Sequence, residues 1–313
     1  MAEEEKKDPD EAEDISVRVY VRIRPLNKRE IAEKQTIGWN FSKTAMLEDT
    51  PNGQRVYAYD ACFGIDSTNQ ETYDVVGKPV VVKAMSGFNG TVFTYGQTGS
   101  GKTWTMRGCD SDPGMMILCI RDIFEYVKDH PEKEYTLKVS YLEVYNEEIN
   151  DLLNNGEDSR NLKITAEDAV RGAVIGNLVE EEVKTPDEFM EVLYKGEANR
   201  SYASTSMNDN SSRSHVIYRV TILIKDIAEG PDDGLDENGF MIKDDGSFSG
   251  AVSYMNLVDL AGSERQKSTN ATGKTLKEGA NINKSLLALG AVINKLGTQG
   301  KKGKVKKDNF IPY

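Results

Sequence analysis

Cysteine, histidine and long apolar runs are scarce in this chain of 313 residues. The three cysteines, Cys62, Cys109 and Cys119, are odd in number and have no metal-ligand spacing. That excludes a disulfide framework and reads as reduced thiols of a cytoplasmic protein. The longest apolar stretch, Ser285 to Ile293, is far too short to cross a bilayer, so membrane insertion is not expected. The first residues, Met1-Ala2-Glu3-Glu4-Glu5-Lys6-Lys7-Asp8-Pro9-Asp10, lack the basic and apolar regions of a signal peptide. Residues 1–14 read instead as a disordered acidic tail. Hydrophobic residues make up 38% of the chain, enough to place residues 15–313 in one globular domain.

The net charge of −12 disfavours a polyanionic partner only if it is spread evenly. It is not. From Arg265 to Lys307 there are eleven Lys/Arg and one acid, Glu278, on an otherwise acidic chain. Local potential steers association more than net charge does, so this stretch is a candidate docking surface. Within it Ile282, Leu286, Leu289, Ile293 and Leu296 recur at helical spacing as an apolar stripe. Lys277, Lys284 and Lys295 fall within about 20° of one another on the opposite side. Lys301, Lys302, Lys304, Lys306 and Lys307 extend the same sign. No aromatics are interleaved for base stacking, so a polyanionic protein is expected and nucleic acid is not.

The octapeptide Gly96-Gln97-Thr98-Gly99-Ser100-Gly101-Lys102-Thr103 fits G-x-x-x-x-G-K-[ST] and follows the apolar run Thr91 to Tyr95. A strand feeding a glycine-rich turn that opens a helix is a phosphate cradle, with backbone N–H groups aimed inward. Lys102 is expected on the β- and γ-phosphates and Thr103 on Mg²⁺. Leu257-Val258-Asp259 ends another apolar run, and Asp259 suits the acid of the Mg²⁺ shell. Around these, alternation predicts strands at Ile15–Ile23, Tyr135–Tyr145, Val216–Ile224 and Ala251–Leu257. A hairpin turn is expected at Gly53. Helices are expected at Gln70–Met85 and Met115–Asp129, and after Thr185-Pro186, with a helical turn at Glu147–Leu153. An acidic loop spans Glu229–Gly250. The fold class is therefore α/β: a P-loop NTPase of three α/β/α layers, with a mixed, mostly parallel sheet and helices on both faces.

Asn208-x-x-Ser211-Ser212-Arg213-Ser214-His215, Asp259-Leu260-Ala261-Gly262-Ser263-Glu264 and the phosphate loop together resemble a kinesin motor domain. Arg22-Ile23-Arg24-Pro25 is similar to that family's adenine-side motif. Lys277 to Leu286 is similar to its microtubule-facing relay helix. The resemblance runs from Val17 to Tyr313. The segment Tyr141 to Glu147 is similar to centromere-associated, N-terminal-motor kinesins, and the lysine-rich loop to monomeric vesicle-carrying ones.

The resemblance implies a microtubule-stimulated ATPase of the cytoplasm and cytoskeleton, with ATP as substrate and Mg²⁺ as cofactor. Arg22, Arg24 and Pro25 would flank the adenine, with Trp104 stacking on it. Ser212 would contact Mg²⁺ and the γ-phosphate, and Gly262 would sense that phosphate. Arg213 and Glu264 would pair to close the site and order the attacking water. The lysines at 277, 284, 295, 301, 302, 304, 306 and 307 would face tubulin.

A non-motile microtubule-binding module is the alternative, and the intact site residues speak against it. A depolymerising kinesin would carry a basic extension where Thr50-Pro51-Asn52-Gly53 is short and uncharged. A GTPase would need a guanine reader, and Asn27-Lys28-Arg29-Glu30 lacks its Asp. Kinesins continue past the position of Tyr313 into a tubulin-contacting helix, a last strand and helix, and the neck linker. The expectation is a motor domain missing its last elements, with weak turnover alone and any homodimer formed through segments absent here.

Overall fold

The computed structural model describes residues 17–168, 172–205, 212–226, 250–264 and 274–299. The expected acidic tail and the loop 227–249 lie outside the described residues. Those described fall into two compact units, one within Met1–Asp66 and Asn283–Tyr313, the other within Ser67–Ile282.

In the smaller unit β1 (Tyr20–Arg22) precedes α1 (Lys28–Ala32), β2 (Asn40–Phe41), β3 (Ala45–Thr50), β4 (Gly53–Ala58) and β5 (Ala61–Phe63). The chain turns between β3 and β4 at Gly53, as expected, and β2, β3 and β4 form an antiparallel sheet. Of the strand expected over Ile15–Ile23, Ile15 and Ser16 lie outside the described residues, and within Val17–Ile23 only Tyr20–Arg22 form strand. Its ladder is made with β5, which is parallel and only three residues long, so pairing ends with Arg22. After Pro25, α1 begins with a capping box: the Asn27 side chain accepts from the Glu30 N–H, and Glu30 accepts from the Asn27 N–H.

The larger unit adds α2 (Asn69–Val76), α3 (Lys78–Met85), β6 (Gly90–Thr94), α4 (Lys102–Met106), β7 (Gly108–Cys109), β8 (Asp112–Pro113) and α5 (Met115–Asp129). There follow β9 (Lys133–Tyr145), β10 (Glu148–Asp151), β11 (Ile164–Asp168), β12 (Gly172–Ile175), β13 (Glu181–Val183), α6 (Pro186–Thr205), β14 (His215–Asp226) and β15 (Ala251–Asp259). The helix expected over Gln70–Met85 is two. The break falls at Gly77, before Pro79, whose ring and missing N–H cannot continue the first helix. The helical turn expected at Glu147–Leu153 is the strand β10. Asn146 and Glu147 both take positive φ, 53° and 68°, making the two-residue turn that matches strand twist and folds β10 back on β9.

The sheet runs β10-β9-β14-β15-β6, with β13 also on β9. It is mixed, as expected, but not mostly parallel: β15 with β6 is its one parallel pair among the described strands. Long β9 and β14 pair antiparallel over twelve positions and dominate the ladder. Alternate residues Leu137, Val139 and Tyr141 of β9 and Val216, Tyr218, Val220 and Ile222 of β14 share one core with α3, α5 and α6. That is one of the two expected helical layers. The opposite face presents Arg219, which donates to Asn256 at 2.9 Å, and Thr221, which donates to Glu180 at 3.0 Å.

α6 starts as expected, with the Thr185 hydroxyl accepting from the Glu188 N–H. It lies so close to β9 that a Cβ on Gly196 would fall within the Tyr141 ring. α7 (Lys274–Gln299) is the expected amphipathic helix. Ile282, Leu286, Leu289, Ile293 and Leu296 are half-buried, while Lys284 and Lys295 are exposed.

Alanine is the better helix former, yet Gly196→Ala is expected to destabilise the chain by about 1–3 kcal/mol by overpacking Tyr141. A denaturation midpoint that holds or rises would show that the helix can move away from the sheet.

Candidate nucleotide site

The site is built where three strand ends meet. In the parallel pair Asp259 stands opposite Thr94, so the carboxyl ends of β15 and β6 coincide. Ligands of α/β sheets bind at such ends. β14 runs the other way and sets Val216 opposite Asp259, bringing the chain just before it to the same edge.

The loop after β6 turns through Gly99 and Gly101, with φ of 77° and 95°, a region that side-chain-bearing residues rarely enter. α4 follows directly and carries Lys102 and Thr103. The Thr103 hydroxyl donates to Asp259 Oδ2 at 2.6 Å, and the Thr94 hydroxyl donates to Oδ1 at 3.2 Å. Lys102 Nζ donates to the Gln97 carbonyl at 3.1 Å, across the loop that it closes. Burial pushes the Lys102 ammonium below its ordinary pKa, against the pull of Asp259 and Glu264.

The segment after β15 wraps the loop from the other side. The Ser263 N–H donates to the Gly96 carbonyl at 3.1 Å. Glu264 accepts from the Thr98 N–H at 2.9 Å and from its hydroxyl at 2.5 Å. Burial raises the Glu264 carboxyl, but these two bonds and Lys102 more than offset it and hold it below the ordinary value. The Gly262 N–H, expected to report a γ-phosphate, donates here to the Ser212 carbonyl at 2.9 Å. The buried His215 ring accepts from the Ala261 N–H through Nδ1 at 3.0 Å, which fixes the neutral Nε2–H tautomer.

Thr103 and Asp259 thus offer a hydroxyl and a carboxylate, hard oxygen donors that fit Mg²⁺. No cluster of three or more His, Cys, Asp or Glu among the described residues could enclose a metal alone. Such a pair suits an ion that completes its shell with phosphate and water oxygens.

Gly96–Trp104, Ser212, Arg213, Asp259, Gly262 and Glu264 all belong to the larger unit. Trp104 is 48% exposed, with its carbonyl accepting from the buried Asn69 side chain at 3.3 Å. Arg22, Arg24 and Pro25 belong to the smaller unit. There the Arg24 guanidinium grips both Glu30 oxygens at 2.7 Å and drives that carboxyl down to about 2. Lys301, Lys302, Lys304, Lys306 and Lys307 lie outside the described residues, as does the Lys277 side chain. Sequence reading missed Thr94, a strand residue with no motif around it, and the His215 bond to Ala261.

The mixed sheet, the loop between a strand and a helix, and the acid on the neighbouring parallel strand define a P-loop NTPase fold. The kinesin motor-domain family model matches residues 22–313, and the chain belongs to that family. It is 45% identical over 300 residues to kinesin-related protein 4 of Dictyostelium discoideum, covering 95% of this chain and 14% of that protein. Human centromere-associated protein E is 41% identical over 287 residues, covering 91% of this chain and 10% of that protein. The chain therefore spans a small part of the relatives it matches. A solved fast kinesin superposes with a TM-score of 0.76 at 37% identity, covering 92% of this chain and 77% of that one.

Burial lowers the His215 pKa below its ordinary value, and Asp259 and Glu147 only partly oppose this. A depressed folded-state pKa gives stability that is present above the unfolded value, about 6.5. It is lost as pH falls through the folded one. Between pH 7.5 and 5.5 the denaturation midpoint is therefore expected to fall, and His215→Asn to flatten that slope. An equal slope in the variant would assign the acid loss to other groups.

Proposed function

We propose that this chain binds Mg·ATP at Gly96–Thr103, hydrolyses it, and couples loss of the γ-phosphate to its grip on a microtubule. The observation that carries this reading is the 2.6 Å bond from Thr103 to Asp259 at the coincident ends of β6 and β15. The residues that would share the metal are brought together by the sheet itself.

Lys102 would hold the β- and γ-phosphates, and Thr103, Asp259 and Ser212 would hold the metal. When bound, Mg²⁺ supplies charge neutralisation on the phosphate oxygens. Trp104 would stack on the nucleotide base, and the kinesin resemblance gives Arg22, Arg24 and Pro25 an adenine-side role. No strong general base is needed, because phosphoryl transfer depends on positioning and charge stabilisation. Arg213 and Glu264 do that work: their pairing closes the site and orients water. Closure requires Glu264 to give up Thr98, and γ-phosphate sensing requires the Gly262 N–H to leave the Ser212 carbonyl. Both exchanges trade one hydrogen bond for another, so a bound phosphate can tip them at small cost. α7 carries the result outward, with Lys284 and Lys295 presented to the acidic surface of tubulin.

Lys102→Ala is expected to abolish retention of a fluorescent ATP analogue. Glu264→Ala should bind the analogue but lower microtubule-stimulated phosphate release about 100-fold or more. Parent-like release from the Glu264 variant would remove the closing pair from the mechanism.

Replacing Lys284 and Lys295 together by alanine should weaken microtubule co-sedimentation about two- to fivefold at low salt. The difference should shrink as salt screens it. A salt-independent deficit would point to a shape change in α7 rather than lost charge.

A further inference from the structure

Behind the metal pair lies a polar cluster that the site so far described does not use. Its centre is Glu197 on α6, whose side chain is 13% exposed. The Tyr141 hydroxyl of β9, in the core, donates to Glu197 Oε1. Arg107 Nη1 donates to Glu197 Oε2 at 2.9 Å. Arg107 is the residue at which α4 ends, one turn after Lys102 and Thr103, and its own N–H still donates to the Thr103 carbonyl. Arg200, one turn along α6, lies 4.0 Å from Glu197 Oε1 and 3.9 Å from Glu143 Oε1. It also donates to the Ser214 hydroxyl at 3.5 Å, next to Ser212 and Arg213. A cavity of about 10 Å³, the size of a single water, is lined by Thr103, Arg107, Tyr141, Glu197, Arg200 and Asp259.

Glu197 thus joins the far end of the phosphate-loop helix to the arginine that holds the base of the Ser212–Arg213 segment. α4 is a five-residue helix and too short to hold its own orientation, so its end must be fixed from outside. The Glu197 charge also pairs with one guanidinium and lies beside the other, on the wall of a cavity that Asp259 shares. Neutralising it would leave those guanidiniums to compete with a cation for Asp259.

We propose that Glu197, with Arg107, is a positioning pair that sets the affinity of the site for the Mg²⁺–nucleotide complex. The proposal rests on the nucleotide reading of the Gly96–Thr103 loop. Glu197→Gln keeps the size and the acceptor for Tyr141 but removes the charge. Arg107→Gln removes the partner at a half-exposed position.

The test follows release of a fluorescent ADP analogue from each variant as free Mg²⁺ is titrated, beside steady-state ATP turnover. Both variants are expected to need about fivefold more Mg²⁺ for half-maximal retention. KM for Mg·ATP should rise more than kcat falls, and the double variant should be no worse than either single one. A purely structural role would lower the melting temperature and leave the Mg²⁺ dependence in place. Retention curves of both variants within twofold of the parent, or additive effects in the double variant, would overturn the proposal. Should Glu197→Gln not fold, Arg107→Gln alone decides between these outcomes. Lys102→Ala separates the two levels: if it too retains nucleotide, the site reading itself fails.

Discussion

The parallel pairing of β15 with β6 is the constraint on which the site depends. In the described part of a sheet otherwise built from antiparallel neighbours, it alone brings two carboxyl ends together. Antiparallel strands would have sent Asp259 and the phosphate loop to opposite edges. With the two ends coincident, Thr94 and Thr103 can hold both oxygens of one carboxylate. The loop then needs only two left-handed glycines and a short helix to complete its turn. The antiparallel β14 contributes by direction as well: its start, not its end, reaches that edge.

Much of this was legible from residue pattern. The loop motif, the acid ending an apolar run and the Ser212–Arg213 segment could be picked out because strand alternation and motif spacing are local signals. The bounds of α5 were readable to the residue, since Met115 follows Gly114 and His130-Pro131 stops the helix. Four readings failed for physical reasons, one of them the single helix over Gln70–Met85, which Gly77 and Pro79 divide. Glu147 to Leu153 has helical composition, but the turn at Asn146 and Glu147 overrides it. The alternation of Ile15 to Ile23 exceeds what a three-residue partner can pair. Strand direction has no signature in composition, so the sheet was read as mostly parallel.

The side-chain network was the least legible part. Nothing near Thr98 announces that it holds Glu264, because the two are 166 residues apart. Arg107, Tyr141 and Glu197 likewise come from separate elements, and only the i,i+3 pair Glu197–Arg200 has a local spacing. Such contacts depend on how α6 seats on β9, which Gly196 permits by its lack of a side chain. A sequence shows which groups are available to a site. Only packing shows which of them are already committed to one another.

β14 is paired along both edges, to β9 from His215 onward and to β15 from Val216 onward. Sliding or tilting it would break two ladders at once, so it serves as a rigid post within the sheet. His215 is pinned again by Ala261. Any swing of Ser212 and Arg213 must therefore pivot at Ser214, a buried residue gripped by Arg200. On this side of the segment, it is the sheet rather than a bound ligand that fixes where such a swing would begin.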